Sequence, residues 1–227
     1  KLYCDGPNLN EINIDLGTQI DGYTFNPSIF KKNGATDYIK YSKEVLEKCP
    51  NKPVSLEVFA DDENSMINQG KILNDLGSNV FVKIPVTYTN GDSTLKVIQN
   101  LLNENIKLNI TAIFSMQQIE KILPSIQNTS SIISVFAGRI YDIGFDAKII
   151  MKDMASYVHE NSQCSLLWAS PRMHFDALSA QDSGCDIITM TNSMYKKMSL
   201  IGKSPEQYSL ETVKMFYDDA IASGFKL

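Results

Sequence analysis

The apolar positions of this chain gather into short runs rich in β-branched residues, separated by longer stretches whose apolar residues recur at helical spacing. Eight such runs predict strands: Leu2 to Asp5, Gly22 to Asn26, Val54 to Ala60, Val80 to Val86, Leu108 to Phe114, Ile132 to Gly138, Leu166 to Ser170 and Asp186 to Met190. Most are continuously apolar rather than alternating, as expected of parallel strands covered on both faces. Between them, Tyr38, Ile39, Val45 and Leu46 share one helical face behind Thr36 as the expected N-cap, while Lys40, Lys43, Glu44 and Lys48 point away. After Asp92-Ser93, Leu95, Ile98, Leu101 and Leu102 repeat that spacing, and Asn105 marks a stop. Strand and helix alternating in this way predict an α/β fold, a single-domain (β/α)8 TIM barrel, with an open doubly wound sheet as the alternative. No Pro- or Gly-rich linker divides residues 1–227, so one domain is expected. A C-terminal helical tail follows from about residue 191, its second segment running from about Ser209 to Ala222 with Gly224 as the stop.

What interrupts the apolar runs is informative. Asp5 ends the first and Asn26 the second; Glu57 lies within the third, Lys83 within the fourth, Asn109 and Thr111 within the fifth, and Ser134 and Ser170 mark the sixth and seventh. In a barrel the C-terminal strand ends converge on one mouth, so these groups are expected to share a pocket. Lys83, in Val80-Phe81-Val82-Lys83-Ile84-Pro85-Val86, has three apolar residues on either side. Burial disfavours an ammonium, and a neutral amine is the form that attacks a ketone to give a carbinolamine and then an imine. The alternative is a buried ion pair, with Glu57 of the neighbouring strand as the partner. Glu57 and Asp5 supply the acid and base that imine chemistry needs, although either alone also fits a helix cap or a surface charge. Arg139 and Arg172 each follow a strand at once, where guanidinium groups can hold a phosphate bidentately or, singly, form surface salt bridges.

Composition narrows the function classes. With 43% hydrophobic and 21% charged residues and a net charge of −5, the chain carries no basic footprint for nucleic acid. No apolar run approaches the roughly 20 residues a membrane helix requires, and the N-terminal residues lack the apolar stretch of a signal peptide, so a cytoplasmic protein without a membrane partner is expected. Cys4, Cys49, Cys164 and Cys185 form no C-x-x-C pair and read as free thiols. His159 and His174 lack metal-ligand spacing, and no Walker loop, G-x-G-x-x-G or G-x-S-x-G occurs, so neither a metal nor a cofactor is expected.

The chain resembles the transaldolase family, particularly the small-subunit branch that also holds fructose-6-phosphate aldolase. Asn26-Pro27-Ser28 is similar to that family's T-T-N-P-S motif and Val82-Lys83-Ile84-Pro85 to its lysine strand. Asn109-Ile110-Thr111 with Phe114-Ser115, Ser134-Val135-Phe136-Ala137-Gly138-Arg139, and Ala169-Ser170-Pro171-Arg172 match three further blocks in order. The resemblance implies Lys83 as the Schiff-base lysine, Glu57 and Thr111 as holders of a proton-shuttling water, and Asp5 as the base at bond cleavage. It further implies Asn26, Asn109 and Ser134 on the dihydroxyacetone part of the donor, Arg139, Ser170 and Arg172 on its phosphate, and a homo-oligomer, pentamer or decamer, held by the C-terminal helix. The apolar stripe Leu210, Val213, Phe216, Tyr217 and Ala220 accords with that association, the alternative being a helix folded back on its own barrel. Phe25 and Gly6-Pro7 depart from the family pattern beside the expected pocket, and Pro171 separates Ser170 from Arg172.

Three functions compete. One is transfer of a dihydroxyacetone unit between sugar phosphates, another is aldol cleavage as in fructose-6-phosphate aldolase, and the last is a non-catalytic barrel that binds sugar phosphates. The resemblance associates Glu and Phe, found here as Glu57 and Phe136, with the transferase branch, and Gln and Tyr with the aldolase branch. A non-catalytic barrel would be expected to lack Lys83, Asp5 or Glu57, and all are present.

Overall fold

Among the described residues eight parallel strands follow one another around a closed ring, the first pairing with both the second and the last, so the open-sheet alternative is excluded. The computed structural model describes residues 1–13 and 19–226. Its strands are β1 (Leu2–Asp5), β2 (Gly22–Thr24), β3 (Val54–Glu57), β4 (Val80–Pro85), β5 (Leu108–Ile113), β6 (Ile132–Val135), β7 (Ser165–Trp168) and β8 (Ile187–Met190). Among the described residues the α-helices are α1 (Pro27–Lys32), α2 (Tyr38–Lys48), α3 (Glu63–Asn74), α4 (Leu95–Asn103), α5 (Met116–Ile126), α6 (Ala137–Asp142), α7 (Ala147–Asn161), α8 (Asp176–Asp182), α9 (Asn192–Lys197) and α10 (Pro205–Ser223). None is long and apolar enough to cross a membrane.

Several elements end differently from their apolar runs. β2 stops at Thr24 rather than Asn26, because the Asn26 side chain accepts from Ile29 N–H at 2.9 Å as the N-cap of α1 and Pro27 has no N–H to offer a ladder. β3 stops at Glu57, β4 at Pro85 and β5 at Ile113. β6 gives way to a helix from Ala137, and β7 ends before Ser170, whose φ of 57° takes the chain off the strand. Asp37, not Thr36, caps α2 by accepting from Lys40 N–H at 2.8 Å. The last helix starts at Pro205 behind Ser204, earlier than Ser209, and closes on Gly224 at φ 67°.

Strand side chains alternate between two apolar environments. Cys4, Tyr23, Leu56, Val82, Ile84, Ile110, Ile133 and Trp168 belong to the large core between sheet and helices. Tyr3, Ile132, Leu167, Ala169 and Ile187, with Phe81 and Phe136 against them, form a smaller, separate cluster inside the barrel. A Cβ on Gly22 would lie 2.6 Å from the Tyr3 ring, so only glycine lets that ring fill the interior at this level. Residues at the same parity further along the strands, Asp5, Thr24, Lys83, Thr111, Ser134 and Thr189, reach the mouth above this apolar plug.

One close approach shapes that mouth. A Cβ on Gly138, at the start of α6, would come within 1.6 Å of the Ser170 carbonyl oxygen, so the loop after β7 rests directly on backbone without a side chain. Gly138→Ala is expected to lower stability by about 2–3 kcal/mol through this backbone displacement, read as a shift in the denaturation midpoint; an unchanged midpoint would contradict the contact.

Candidate active site

Matched register puts Glu57 beside Lys83 and Lys83 beside Asn109 on three successive strands. All three side chains follow the inner parity. Lys83 is only 6% exposed, and its Nζ stands 2.9 Å from Glu57 Oε2. The buried ion pair expected as an alternative is therefore present, with its Lys83 end on the lining of the cavity. Asn109, fully buried, donates to Ser55 Oγ at 3.0 Å and accepts from Ser134 Oγ at 2.7 Å. These two bonds fix its amide and tie β3, β5 and β6 together below the mouth.

Thr111 owes its aim to an irregularity. The β5–β6 register shifts between Ile110 and Ile113, and Ala112 takes a left-handed φ of 59°. Thr111 is buried on the cavity wall, and its hydroxyl has no hydrogen-bond partner within the protein, the pattern of a group reserved for a ligand. Asp5, at the end of β1, accepts from Thr24 Oγ1 at 2.7 Å, and Thr24 Oγ1 lies 2.6 Å from Thr189 Oγ1, so hydroxyls from β2 and β8 brace one carboxyl. Burial raises the Asp5 pKa above the ordinary carboxylate value, opposed in smaller part by the Lys83 charge and the Thr24 hydrogen bond.

The cavity over these groups encloses about 280 Å³. Of the residues expected from sequence, Asp5, Asn26, Lys83, Thr111, Ser134, Phe136, Arg139 and Ser170 line it. Asn26 spends its carbonyl on the α1 cap, which leaves the amide NH2 for a ligand. Arg139 is exposed at the rim with its guanidinium 5.2 Å over the Phe136 ring, and that ring also meets Phe114 at 5.7 Å. Glu57 and Asn109 stand behind the wall, Glu57 against Lys83 and Asn109 against Ser134. Arg172 is apart from the rest. It is exposed, and its fork is engaged by Asp142, with Nε 3.0 Å from Oδ1, which is the surface-salt-bridge arrangement.

Thr24, Ser28, Lys32 and Thr189 also line the cavity, beyond the residues expected from sequence. Thr24 and Thr189 stand inside predicted strands at the same parity as the expected polar groups, so strand parity is the signal that points to them. Lys32 reads as an ordinary helix-surface charge, and only the short α1 folding over the mouth brings it to the wall. His159 lies outside the site, paired with Asp186 at 2.8 Å, and no group of three or more His, Cys, Asp or Glu among the described residues is arranged to hold a metal.

Comparison with known proteins identifies the family. The family described as Transaldolase/Fructose-6-phosphate aldolase matches residues 2–226. A protein of Thermoplasma volcanium named "Probable transaldolase" is 33% identical over 211 residues, covering 91% of each chain. Proteins of the same name from Aquifex aeolicus and Bdellovibrio bacteriovorus are 34% and 31% identical, covering 90% and 96% of each chain respectively. Among solved structures, 2,3-dimethylmalate lyase superposes with a TM-score of 0.59 at 9% identity, covering 99% of this chain and 83% of that one. Thiamine phosphate pyrophosphorylase from Pyrococcus furiosus gives 0.57 at 9%, covering 84% and 85%. At such identity the structural likeness is one of fold alone.

The braced carboxyl yields a pH prediction. If Asp5 acts as a base, its carboxylate is the working form, so kcat/KM rises with pH through a pKa already raised by burial. The Thr24 hydroxyl favours that carboxylate, so Thr24→Val is expected to move the acidic limb further toward alkaline pH. A pH–rate profile whose limb stays put or moves toward acid would remove Thr24 from this role.

Proposed function

Since this chain belongs to the transaldolase/fructose-6-phosphate aldolase family, we propose that it is a class I transaldolase, moving a dihydroxyacetone unit from a ketose phosphate to an aldose phosphate through an imine on Lys83. The observation that carries this reading is the buried Lys83 amine, held 2.9 Å from Glu57 on the floor of a cavity whose opposite wall bears Asp5. A proton passing from the Lys83 ammonium to Glu57 across that hydrogen bond leaves an amine and a carboxylic acid in place of an ion pair. The amine attacks the C2 carbonyl of sedoheptulose 7-phosphate or fructose 6-phosphate. The carbonyl electrons move to oxygen, which is protonated, and water then leaves with Glu57 as the acid and Thr111 as a hydrogen-bonding partner. The Asp5 carboxylate takes the C4 hydroxyl proton, the C3–C4 bond breaks, and its electron pair enters the iminium to give an enamine. The released aldose phosphate is replaced by another, glyceraldehyde 3-phosphate or erythrose 4-phosphate, and the steps reverse.

Asn26, Asn109 and Ser134 fit the hydroxyls of the three-carbon unit, Asn109 through its bond to Ser134. Arg139 and Ser170 lie on the wall for the phosphate. Arg172 joins them by exchanging Asp142 for the phosphate, one anion for another on the same fork. Phe136 favours transfer over free cleavage, because an apolar ring beside the imine offers no phenol to protonate the enamine or orient a water for its hydrolysis. These substrates place the reaction in the pentose phosphate pathway of the cytoplasm. The exposed stripe of α10, with Leu210 at 55%, Val213 at 59% and Phe216 at 63%, supports a homo-oligomer, pentamer or decamer, since the helix does not fold back over its own barrel.

Borohydride added with fructose 6-phosphate is expected to trap a three-carbon adduct on Lys83, seen by mass spectrometry, and an adduct elsewhere or none at all would sink the mechanism. Erythrose 4-phosphate is expected to raise glyceraldehyde 3-phosphate formation from fructose 6-phosphate by at least about tenfold, some 1.4 kcal/mol of barrier, and Phe136→Tyr to shrink that dependence. Equal turnover without acceptor would make aldol cleavage the better reading.

A further inference from the structure

The end of β3 is where the structure adds a residue to this machinery. Val58 N–H donates to the Lys83 carbonyl at 3.1 Å on the β4 side, and Phe25 N–H donates to the Ser55 carbonyl at 2.9 Å on the β2 side. This alternation turns the N–H and C=O of Glu57 toward β2. No strand is there to receive them, because β2 ends at Thr24 and the chain enters α1 at Pro27. One side chain takes the place of the missing strand: the Tyr38 hydroxyl accepts from Glu57 N–H at 3.1 Å and donates to Glu57 C=O at 2.9 Å. We propose that Tyr38 is a positioning residue for Glu57, standing in for a strand neighbour so that the carboxylate is held against Lys83. The proposal rests on the acid–base role given to Glu57 above.

The hydroxyl is itself well placed. Tyr38 is the first residue of α2, behind the Asp37 cap, and its ring lies 4.7 Å from Phe30 and 5.3 Å from Phe59. Ser42 Oγ donates to the Tyr38 carbonyl at 2.8 Å, which fixes the main chain that carries the ring. Burial raises the phenol pKa, so the hydroxyl keeps the proton it donates across the working pH range. The consequence for chemistry is directional. Glu57 is the last residue of β3, so its neighbour Val58 is tied to the β4 side by the ladder while its own N–H and C=O are held on the other side by this phenol. A strand end held on both sides keeps the carboxylate at hydrogen-bonding distance while Lys83 gains and loses protons and a carbon substituent. With the second anchor gone, the pair would sample separations at which proton transfer stops.

The test separates positioning from general loosening. Imine formation on Lys83 is followed in single turnovers with fructose 6-phosphate by borohydride trapping, in wild type, Tyr38→Phe, Glu57→Gln and the double variant, and amide exchange at Glu57 is measured alongside. Tyr38→Phe keeps the ring and deletes only the hydroxyl. It is expected to speed Glu57 amide exchange and slow imine formation by about tenfold each, the scale of one hydrogen bond, with KM little changed. In the Glu57→Gln background the same substitution should cost nothing further, because the group it positions is already lost. Unchanged exchange at Glu57, unchanged imine formation, or a full multiplicative loss in the double variant would each overturn the proposal. Glu57→Gln forming the imine at the wild-type rate would instead strike down the acid–base reading, while faster exchange at Glu57 in Tyr38→Phe would still report the anchor.

Discussion

Two opposite charges largely removed from water on adjacent strands constrain this barrel. Lys83 and Glu57 sit at matched register on β4 and β3, and each makes the burial of the other tolerable. Deleting either partner leaves an uncompensated charge, a loss of the order of 3–5 kcal/mol. A slip of one residue between these strands would send one of the pair to the opposite face of the sheet. The pair therefore bears on strand alignment as well as on the cavity above it. Asn109 extends the same logic to β5 and β6, since its bonds to Ser55 and Ser134 are met only in this register.

A polar interior of this kind is offset by what surrounds it. Below the mouth, Tyr3, Ile132, Leu167 and Ile187 seal the barrel with apolar side chains, and outside it the larger core packs strands against helices on every side. The polar groups are thus confined to one end of the strands. There, each departure from regular structure serves a placement: the bulge at Ala112 aims Thr111, the left-handed Ser170 brings its loop over Gly138, and the early end of β2 allows α1 to fold across the opening.

Much of this was legible in the sequence, and the reasons for success and failure are physical. Strand cores such as Val80–Pro85 were readable because a strand covered on both faces is continuously apolar, which also made Lys83 conspicuous. Strand ends were misplaced where a side chain competes with the ladder, as Asn26 does by capping α1. Thr24 and Thr189 are inconspicuous in the sequence because threonine is an ordinary strand residue, and their mutual contact joins positions distant in sequence. Tyr38 is hidden more deeply, for its hydroxyl meets backbone, and backbone leaves no trace in the side-chain pattern. The pairing of Arg172 with Asp142 depends on how two loops pass each other, which no local spacing encodes.

The last helix carries a consequence of another kind. No residue of α10 is buried, although the helix is 19 residues long and well capped at both ends. Tertiary packing, not propensity, supplies most helical stability in proteins. Its own barrel gives this segment little of that support, so a surface that covered the stripe would add to its order. Where the cover is another copy of the chain, helicity becomes a matter of mass action. Dilution would then melt the C-terminal segment first and leave the barrel standing, so one polypeptide would show two separate transitions whose spacing depends on concentration.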